Sequence, residues 1–477
     1  MFTDDQTMLI NRIVEELEED NVAIFAGAGL SVGAGHVNWK QLLTPLAKEI
    51  RVDIEKEHDL VSLAQYYINE NGRQRLADKL INEVGIEKSP TENHKLLAKL
   101  PITNFWTTNY DALIEESLKQ EGKLPDVKFT NDHLATTKKG RSAIVYKMHG
   151  DISLAHDAIL TKDQYESYPI KHAPFVTALS GHLVSKTFLF LGFSFTDPNL
   201  DYILSRIRIN FEDRQRQHFC IFKAVSSKDY KNVDEYNFNK VKQELLSKDL
   251  KRFNIKVIMI EEWSDLNKIL KEITNQYKSK SIFLSGSAHD YGQWTKDETE
   301  NFLSKLGEIL IRKKFKIVSG LGLGIGNAFI SGGIKEIYSN QYGKIDDQII
   351  MKPFPQHVPD PTERSSIWTK WRYDLIGRSG ICLFFMGNKL AGDKIELANG
   401  MDEEFKIAKE LGLKLIPIGC SGYKASEYYQ EIIKNINDYY PDKSPEFIEK
   451  LKALNENVHK PEQLIEKILD VLKDLEL

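Results

Sequence analysis

The sequence predicts an α/β protein built from two doubly wound, Rossmann-like domains in series. Short apolar runs bounded by turn residues alternate with longer stretches of helical periodicity, which is the pattern of parallel strands connected by helices. This alternation starts a second time after the polar segment at residues 275–281, and each half carries a glycine-rich turn directly after its own first strand. With 477 residues, the chain is long enough for two or three domains of about 150 residues each.

The first half opens with an amphipathic helix that ends near the acidic segment EELEED. Its apolar residues share one helical face and are Leu9, Ile13, Val14 and Leu17. Six apolar runs then predict strands: NVAIFAG, ITNFWTTNY, AIVYKMHG, KTFLFLGFS, HFCIFKA and NIKVIMI. The long polar stretch at residues 152–185 separates two of these strands, and we expect a mobile cover over a site there.

The second half repeats the cycle with five further apolar runs: SIFLSG, KIVSGLG, QIIMKPF, GICLFFMG and LKLIPIG. We place the domain boundary near Lys278, which gives domains at 1–278 and 279–477. The charged stretch at 462–477 predicts a closing helix.

Composition and charge exclude several classes of protein. Hydrophobic residues make up 41% of the chain and charged residues 28%, unlike the low-apolar profile of a disordered chain. A formal net charge of -5 supplies no general field that attracts a polyanion. We therefore expect a folded protein with no nucleic-acid partner.

The three cysteines, Cys220, Cys382 and Cys420, lie far apart, each within an apolar stretch. This excludes a disulfide framework and a Cys-x-x-Cys zinc site, so we expect three buried thiols and no metal. The first residues are acidic where a signal peptide carries lysines, and the apolar runs are shorter than the roughly 20 residues that span a bilayer. We expect a cytoplasmic protein without a membrane partner.

A first candidate site begins at the turn Gly27-Ala28-Gly29-Leu30-Ser31, which follows the strand VAIF directly. Small residues in such a turn let backbone N–H groups approach a pyrophosphate, although the same turn also occurs for purely structural reasons. Polar groups follow three later strands, and ligands of open α/β sheets bind at the carboxyl ends of strands. These groups are Thr107 to Asp111, Lys147 to Asp151, and Gly192 to Ser194 with Asp197 to Asn199.

These motifs resemble those of the sirtuin superfamily, and they occur in the family's order over roughly residues 10–275. The shared signatures are the Gly-Ala-Gly-x-Ser turn, a Thr-x-Asn-x-Asp segment, a His-Gly pair and a Gly-x-Ser strand end. The resemblance implies NAD+ as the bound dinucleotide. It places Gly27, Ala28 and Ser31 at the pyrophosphate, Ser194 near the adenosine ribose, and Asn109, Asp111 and His149 around the nicotinamide ribose.

Two departures from the sirtuin pattern argue against protein deacylation. Three scattered cysteines cannot build the family's four-cysteine zinc module, and Thr108 stands where the family has Gln. The remaining chemistry is hydrolysis of the nicotinamide glycosidic bond. An imidazole suits a general base and a carboxamide suits the positioning of water, so we expect His149 and Asn109 to be catalytic. In the alternative, His149 only caps a strand and Asn109 only satisfies a loop.

Two histidines and a tryptophan near these motifs are also considered as ligand-binding residues. His94 follows Thr91-Glu92-Asn93 and is expected to belong to a helix cap rather than to bind a ligand. His36 and Trp39 lie just after the glycine turn, where an aromatic ring would cover the nicotinamide end, although packing is the expected role of Trp39.

A second candidate site lies in the second half. Ser285-Gly286-Ser287 follows the strand SIFL, and a run of alternating glycines follows the strand KIV and includes Gly322 and Gly324. Alternating glycines expose backbone donors to a phosphate, but they also suit a tight strand-to-helix turn. Arg372 precedes the strand GICLFFMG, Lys389 follows it, and the residues from Gly400 to Phe405 open the next helix.

This half resembles the SLOG family of nucleotide sensors over roughly residues 280–430. Related LOG phosphoribohydrolases carry a Pro-Gly-Gly-x-Gly-Thr-x-x-Glu run, and residues 397–404 here lack its Pro-Gly-Gly part and its Thr. The resemblance therefore implies binding without turnover. Arg372 and Lys389 would hold phosphates and Glu404 would accept from a ribose hydroxyl, with Ser285, Gly286, Ser287, Gly322, Gly324 and Gly400 around the ligand. In the alternative, Arg372 and Lys389 form a solvated surface pair.

A sirtuin-like domain followed by a SLOG domain resembles the NADase effectors of the Thoeris anti-phage defence system. The resemblance implies that a TIR-domain partner makes a cyclic ADP-ribose isomer, expected to be 3′-linked, which binds the SLOG domain as activating ligand. NAD+ would then be cleaved to ADP-ribose and nicotinamide, causing NAD+ depletion and abortive infection. It also implies a homo-oligomer, expected to be a tetramer. Two alternatives are a non-catalytic nucleotide-binding signalling module and a sirtuin-type NAD-dependent protein deacylase.

Overall fold

The computed structural model describes residues 2–57, 59–230, 232–340, 345–355 and 357–475. The chain divides into two compact units, Met1–Thr274 and Asn275–Leu477. The helix Trp263–Ser279 includes the boundary, so the polar residues near Lys278 form the last turn of a helix rather than a linker.

The first unit alternates helices and strands throughout. Its helices are α1 Asp4–Glu18, α2 Ala28–Val32, α3 Trp39–Glu49, α4 Leu60–Asn71, α5 Arg73–Val84, α6 Glu92–Lys99, α7 Leu113–Gln120, α8 Asn131–Ala135, α9 Lys162–Lys171, α10 Ala173–Ser185, α11 Pro198–Phe211, α12 Val233–Asp249 and α13 Trp263–Ser279. Its strands are β1 Val22–Ala26, β2 Asn104–Thr107, β3 Pro125–Lys128, β4 Ala143–Lys147, β5 Thr187–Leu191, β6 His218–Lys223 and β7 Ile255–Ile260.

The described strands of the first unit form one parallel sheet in the order β3-β4-β2-β1-β5-β6-β7. Strand β1 lies in the middle, between β2 and β5, which is the point where the strand order reverses. In open α/β sheets, ligands bind at the carboxyl ends of the strands at this switch point. All six predicted strands are present, and β3 is an additional edge strand.

The first sheet is buried on both faces, as expected for a parallel sheet covered by helices. Every residue of β1 and β5 is buried, and the Phe25 and Phe190 rings on these neighbouring strands pack 5.3 Å apart between centroids. On β2, Trp106 stacks on Tyr146 of β4 at 4.2 Å. These large aromatic contacts fix the central strands that carry the site.

The stretch at 152–185 is helical rather than an irregular cover. A 3-10 helix occupies Ile152–Asp157, and α9 and α10 follow. Tyr168, Phe175, Leu179 and Leu183 bury their side chains in the core of the first unit. Within this stretch α9 is polar and buries Tyr168, whereas α10 is largely apolar. Whether the segment gates a site stays a prediction.

The second unit contains a smaller parallel sheet. Its helices are α14 Lys296–Arg312, α15 Gly326–Asn340, α16 Ile345–Gln348, α17 Pro361–Ile376, α18 Asn399–Glu410, α19 Tyr423–Lys434, α20 Ile436–Tyr439, α21 Pro445–Lys452 and α22 Leu464–Leu475. Its strands are β8 Ser281–Ser287, β9 Lys316–Ser319, β10 Ile349–Met351, β11 Ile381–Met386, β12 Asn388–Ala391, β13 Lys394–Leu397 and β14 Lys414–Pro417.

Five strands of the second unit pair in parallel in the order β10-β9-β8-β11-β14, and β12 and β13 form a separate antiparallel hairpin within the part that the structure describes. The five predicted strands are present, whereas the hairpin was not predicted. The predicted closing helix corresponds to α22, whose apolar face is buried. Cys220 and Cys382 are buried as expected, but Cys420 is only partly buried, because it lies in a short 3-10 turn after β14 rather than within a strand.

Across the described residues, no helix is both long enough and apolar enough to cross a membrane.

Candidate active site

A cavity of about 630 Å³ opens at the carboxyl ends of the central strands of the first unit. This volume lies in the range of small-molecule and cofactor sites. The cavity is lined by six of the seven residues predicted for the dinucleotide site: Ala28, Ser31, Asn109, Asp111, His149 and Ser194. The seventh, Gly27, adjoins them through its carbonyl, which accepts a hydrogen bond from Asn109 Nδ2 at 3.0 Å.

The glycine turn after β1 is shaped by close packing against the end of β5. A Cβ atom on Gly27 would lie 2.5 Å from the carbonyl oxygen of Gly192, and one on Gly29 would lie 2.8 Å from Gly192 Cα. The Gly29 N–H donates to Gly192 O at 2.9 Å. These glycines therefore serve the structural role that the sequence left open, while Ala28, Gly29 and Ser31 also line the cavity.

Asn109 is held in one orientation by the turn beside it. Its Nδ2 atom donates to Gly27 O and to Ser31 Oγ, both at 3.0 Å. Its backbone N–H donates to Thr107 Oγ1 at 2.9 Å. The carboxamide thus ties the end of β2 to the turn after β1, and it does so at the wall of the cavity.

His149 follows β4 and presents a buried imidazole to the cavity. Its Nε2 atom lies 3.1 Å from Asp197 Oδ2, and its Nδ1 atom lies 3.5 Å from the Tyr165 hydroxyl. The backbone is fixed as well, because Ile159 N–H donates to His149 O at 2.8 Å. The strand end, α9 and the start of α11 thus converge on one ring.

Asp197 and Tyr165 also line the cavity, and neither was predicted as a site residue. Burial alone raises the pKa of the Asp197 carboxyl, but His149 and the backbone N–H groups of Asn199 and Leu200 outweigh burial and lower it. Burial raises the pKa of Tyr165 well above its usual value. A carboxylate and a neutral phenol therefore flank the imidazole.

A fully buried lysine supports the strand ends below the cavity. Lys147 Nζ donates to the carbonyl oxygens of Tyr110 and Asp111 at 3.0 and 2.6 Å. It also pairs with Glu115 Oε1 at 3.2 Å and with the carboxylate of Asp151. Burial lowers the pKa of Lys147, but these carboxylates outweigh it and raise the pKa. The ammonium thus holds the loop that carries Asn109 and Asp111.

His94 belongs to a helix cap, as expected. Its Nδ1 atom lies 2.8 Å from Thr91 Oγ1 and accepts from the Thr91 N–H at 3.3 Å, in a capping box at the start of α6. Burial lowers its pKa to about 4, so the ring is neutral near pH 7. His36 is buried at the cavity wall, and Trp39, which begins α3, lines the cavity and packs against an apolar cluster.

Asp111 and Ser194 occupy different parts of the cavity wall. Asp111 Oδ1 accepts from the Leu113 N–H at 3.1 Å and so begins α7. Ser194 lies on the exposed loop after β5, and its hydroxyl is 2.8 Å from Thr196 Oγ1.

The second candidate site brings three of its predicted residues into direct contact. Ser285 Oγ donates to Glu404 Oε2 at 2.6 Å, and Glu404 Oε1 lies 3.6 Å from Arg372 Nε. Arg372 is buried and also pairs with Glu403, so it is not part of a solvated surface pair. Burial raises the pKa of the Glu404 carboxyl.

Of the predicted glycines, Gly400 adjoins Arg372, and Gly322 and Gly324 pack against the backbone at Gly286 and Ala288. An added Cβ on Gly400 would lie 3.0 Å from Arg372 Nη2. An added Cβ on Gly322 would lie 2.0 Å from Gly286 O, and one on Gly324 would lie 2.1 Å from Ala288 O. The glycine run therefore forms a tight turn that packs against the end of β8 and the residue that follows it. A tight turn was one of the two roles that the sequence left open for these glycines.

Ser287 contacts the hairpin and Lys389 lies on its strand β12, and their hydrogen bonds go to residues other than Arg372. Ser287 Oγ donates to Asn388 O at 3.0 Å. Lys389 Nζ donates to Asn399 Oδ1 at 2.6 Å, at the first residue of α18.

Among the residues that the structure describes, no group of three or more His, Cys, Asp or Glu side chains is arranged to hold a metal ion.

Comparison with known proteins identifies both units. Residues 103–247 match the SIR2-like domain family, and residues 265–475 match the Sir2- and TIR-associating SLOG family. Over its full length, the chain is 64% identical to the NAD(+) hydrolase ThsA of Acinetobacter baumannii (strain 532279), covering 99% of this chain and 100% of that protein. The chain belongs to the ThsA family of NAD(+) hydrolases.

A second member of the ThsA family, from Bacillus cereus (strain MSX-D12), is 45% identical over 98% of both chains. Defense-associated sirtuin 2 of Bacillus subtilis is 24% identical over 44% of this chain and 22% of its own length. The predicted family, the predicted order of a sirtuin-like and a SLOG domain, and the predicted NAD+ glycohydrolase are confirmed. Membership of the ThsA family of NAD(+) hydrolases excludes the non-catalytic module, whereas the absence of protein deacylation stays a prediction.

Proposed function

We propose that this NAD+ hydrolase cleaves NAD+ to nicotinamide and ADP-ribose in the cavity of the first unit, with His149 and Asn109 as its catalytic residues. The observation that carries the proposal is the meeting of both side chains at one cavity on the switch point of the sheet. His149 lies next to the carboxylate of Asp197, which would stabilise the ring after it accepts a proton. Asn109 is held in one orientation by its hydrogen bond to Gly27 O.

The reaction requires little from the protein beyond positioning and proton transfer. Water attacks C1′ of the nicotinamide ribose, the C1′–N bond breaks, and its electron pair neutralises the nicotinamide ring. Positive charge develops on the ribose in the transition state, while His149 accepts a proton from the water or from a ribose hydroxyl. Asn109 orients that water, and Asp111 also lines the cavity.

We propose further that a small molecule gates this reaction from the second unit. The activating ligand is a cyclic ADP-ribose isomer, expected to be 3′-linked and made by a TIR-domain partner, a class that the matched SLOG family's description as TIR-associating supports. Arg372, Lys389 and Glu404 are its main contacts. Arg372 supplies a guanidinium, which suits a phosphate, and it already meets two carboxylates that a ligand would rearrange.

The cellular role that fits this gating is anti-phage defence in the bacterial cytoplasm. Infection would lead the TIR-domain partner to make the signal, and the enzyme would deplete NAD+ and cause abortive infection. A homotetramer is the assembly proposed for this role.

The deciding experiment measures NAD+ loss by the purified protein, alone and with micromolar cyclic ADP-ribose isomers. We expect hydrolysis only with the signal. His149→Ala should abolish hydrolysis and leave signal binding, measured by calorimetry, unchanged. Arg372→Ala should lose signal binding and activation while its NAD+ affinity is retained.

Two results would contradict the proposal at different sites. Residual wild-type activity in His149→Ala would remove His149 from catalysis. A normal response of Arg372→Ala to the signal would show that the sensor site lies elsewhere.

A further inference from the structure

We infer that Asp197 is a positioning residue for His149, holding the ring and stabilising its protonated form during NAD+ hydrolysis. The inference rests on the proposed role of His149 and assigns a role to a residue that the sequence placed among the polar groups at the strand ends without a function of its own. Asp197 follows the Gly-x-Ser strand end and immediately precedes Pro198 at the first position of α11.

The carboxylate of Asp197 is divided between two tasks. Its Oδ1 atom accepts from the N–H groups of Asn199 and Leu200, each at 3.0 Å, and so caps α11. Its Oδ2 atom lies 3.1 Å from His149 Nε2. Because a rigid helix terminus fixes one oxygen, the second oxygen has a defined position beside the imidazole.

The Nε2 side of His149 faces the carboxylate. Nε2 is a buried atom that lies 3.1 Å from Oδ2, so the carboxylate is the charged group that holds this side of the ring. His149 lines the cavity, where a water or ribose hydroxyl would approach.

The other groups around the ring supply no competing negative charge. Tyr165 and Tyr168 of α9 face it, with ring centroids 5.3 and 6.4 Å away, and burial raises the pKa of both, which keeps them neutral. His172, at the end of α9, lies near enough to repel a charged His149, and burial lowers its pKa. Among these described neighbours, Asp197 is the anion.

Proton transfer to His149 converts a neutral ring into a cation inside a buried site, where an unpaired charge is costly. A fixed carboxylate offsets that cost at the step where the charge appears. In the same way, the aspartate of a catalytic triad holds its histidine and stabilises the imidazolium that forms. Asp197 exchanges no proton itself, and the proton leaves His149 for solvent after the products form.

The test is Asp197→Asn in the full-length enzyme, assayed with saturating 3′-linked cyclic ADP-ribose. Asn is as good a helix cap as Asp, so α11 should keep its start while the negative charge is lost. We expect kcat to fall by about 10- to 100-fold, less than the loss of up to roughly 10⁴-fold for removal of a general base. KM for NAD+, signal affinity and the melting temperature should stay close to wild type.

Asp360→Asn is the matched control. Asp360 also caps a helix before a proline, accepting from the Glu363 N–H of α17 at 2.7 Å, and its kcat should match wild type. Adding Asp197→Asn to His149→Ala should lower the residual rate no further, because the carboxylate acts through the ring.

The outcomes separate this inference from the proposed function. Wild-type kcat in Asp197→Asn, with His149→Ala inactive, overturns the inference alone. Activity in His149→Ala overturns the proposed function and the inference together. A loss of activity that merely follows loss of folded protein, with kcat per folded molecule unchanged, also overturns the inference.

Discussion

The side chain of Lys147 connects the stability of the first unit with the geometry of its site. It is fully buried, pairs with Glu115 and Asp151, and donates to the backbone of the loop after β2. Replacing it with Met leaves two buried carboxylates without their cation. We expect Lys147→Met to lower the free energy of unfolding by about 3–5 kcal/mol and to abolish hydrolysis even where the protein remains folded.

Lys128→Met is the matched control for this prediction. Lys128 is also buried and pairs with Asp126 at 2.8 Å, but it lies on the edge strand β3. Urea unfolding should show destabilisation of both variants, and assays below their unfolding midpoints should show lost activity only in Lys147→Met. Equal activity per folded molecule in the two variants would limit Lys147 to a structural role.

Single residues show where sequence reasoning reaches and where it stops. The location of Asn109 and His149 at the cavity was predictable because each follows a predicted strand and lies in a motif that resembles those of the sirtuins. Asp197 was expected near the strand ends but received no function, because an Asp-Pro pair also begins a helix, and Tyr165 was missed because it lies in a polar stretch. Their proximity to His149 depends on how α9 and α11 pack, which no local pattern encodes.

At the scale of elements, the cavity wall depends on two chain segments that touch through glycines. Gly192 has φ +63°, and an added Cβ would lie 2.2 Å from Leu30 N. Gly192→Ala must therefore push the end of β5 away from the turn that carries Ser31. We expect loss of NAD+ binding, together with destabilisation above the roughly 1–2 kcal/mol that a left-handed backbone costs a residue with a Cβ.

Gly140→Ala separates the two causes. Gly140 has φ +77° but has nothing within 4 Å of an added Cβ, so this variant carries the backbone cost without the clash. Calorimetric titration of NAD+ should give wild-type affinity for Gly140→Ala and weak or absent binding for Gly192→Ala. Normal NAD+ affinity in Gly192→Ala would show that the contact between the two segments is dispensable.

The elements missed by the sequence share a physical character. Strand β3 begins at Pro125 and lies at the edge of its sheet, where a strand needs neither a continuous apolar run nor every N–H. The two strands of the hairpin, β12 and β13, have four residues each and mix polar with apolar side chains, and β13 is exposed along its whole length. Apolar runs in the sequence predict buried parallel strands. The edge strand β3 and the exposed hairpin have no such run, so the sequence did not predict them.

At the scale of the whole molecule, the domain boundary was obscured by a continuous helix. Sequence composition placed it near Lys278, and the division into compact units falls between residues 274 and 275. Helix α13 spans this point with an apolar face that includes Ile269 and Ile273, so its polar last turn resembles a linker in sequence. The two repeated glycine-rich turns were the stronger indication of two units.

Signal gating makes a thermodynamic prediction about the whole chain. A ligand shifts a conformational equilibrium only if it binds one state better than the other. If binding of the signal raises the affinity for NAD+, then binding of NAD+ must raise the affinity for the signal by the same factor, typically about 5- to 150-fold. His149→Ala allows this measurement because it should bind both ligands without consuming NAD+.

We therefore expect the signal to bind His149→Ala more tightly in saturating NAD+, and NAD+ to bind more tightly in saturating signal, by equal factors in calorimetric titrations. Arg372→Ala should show no such coupling, because it should not bind the signal. Unchanged affinities in both titrations of His149→Ala would contradict gating through NAD+ binding. The signal would then act on a later step, by bringing His149, Asn109 and the bound ribose into the geometry that hydrolysis requires.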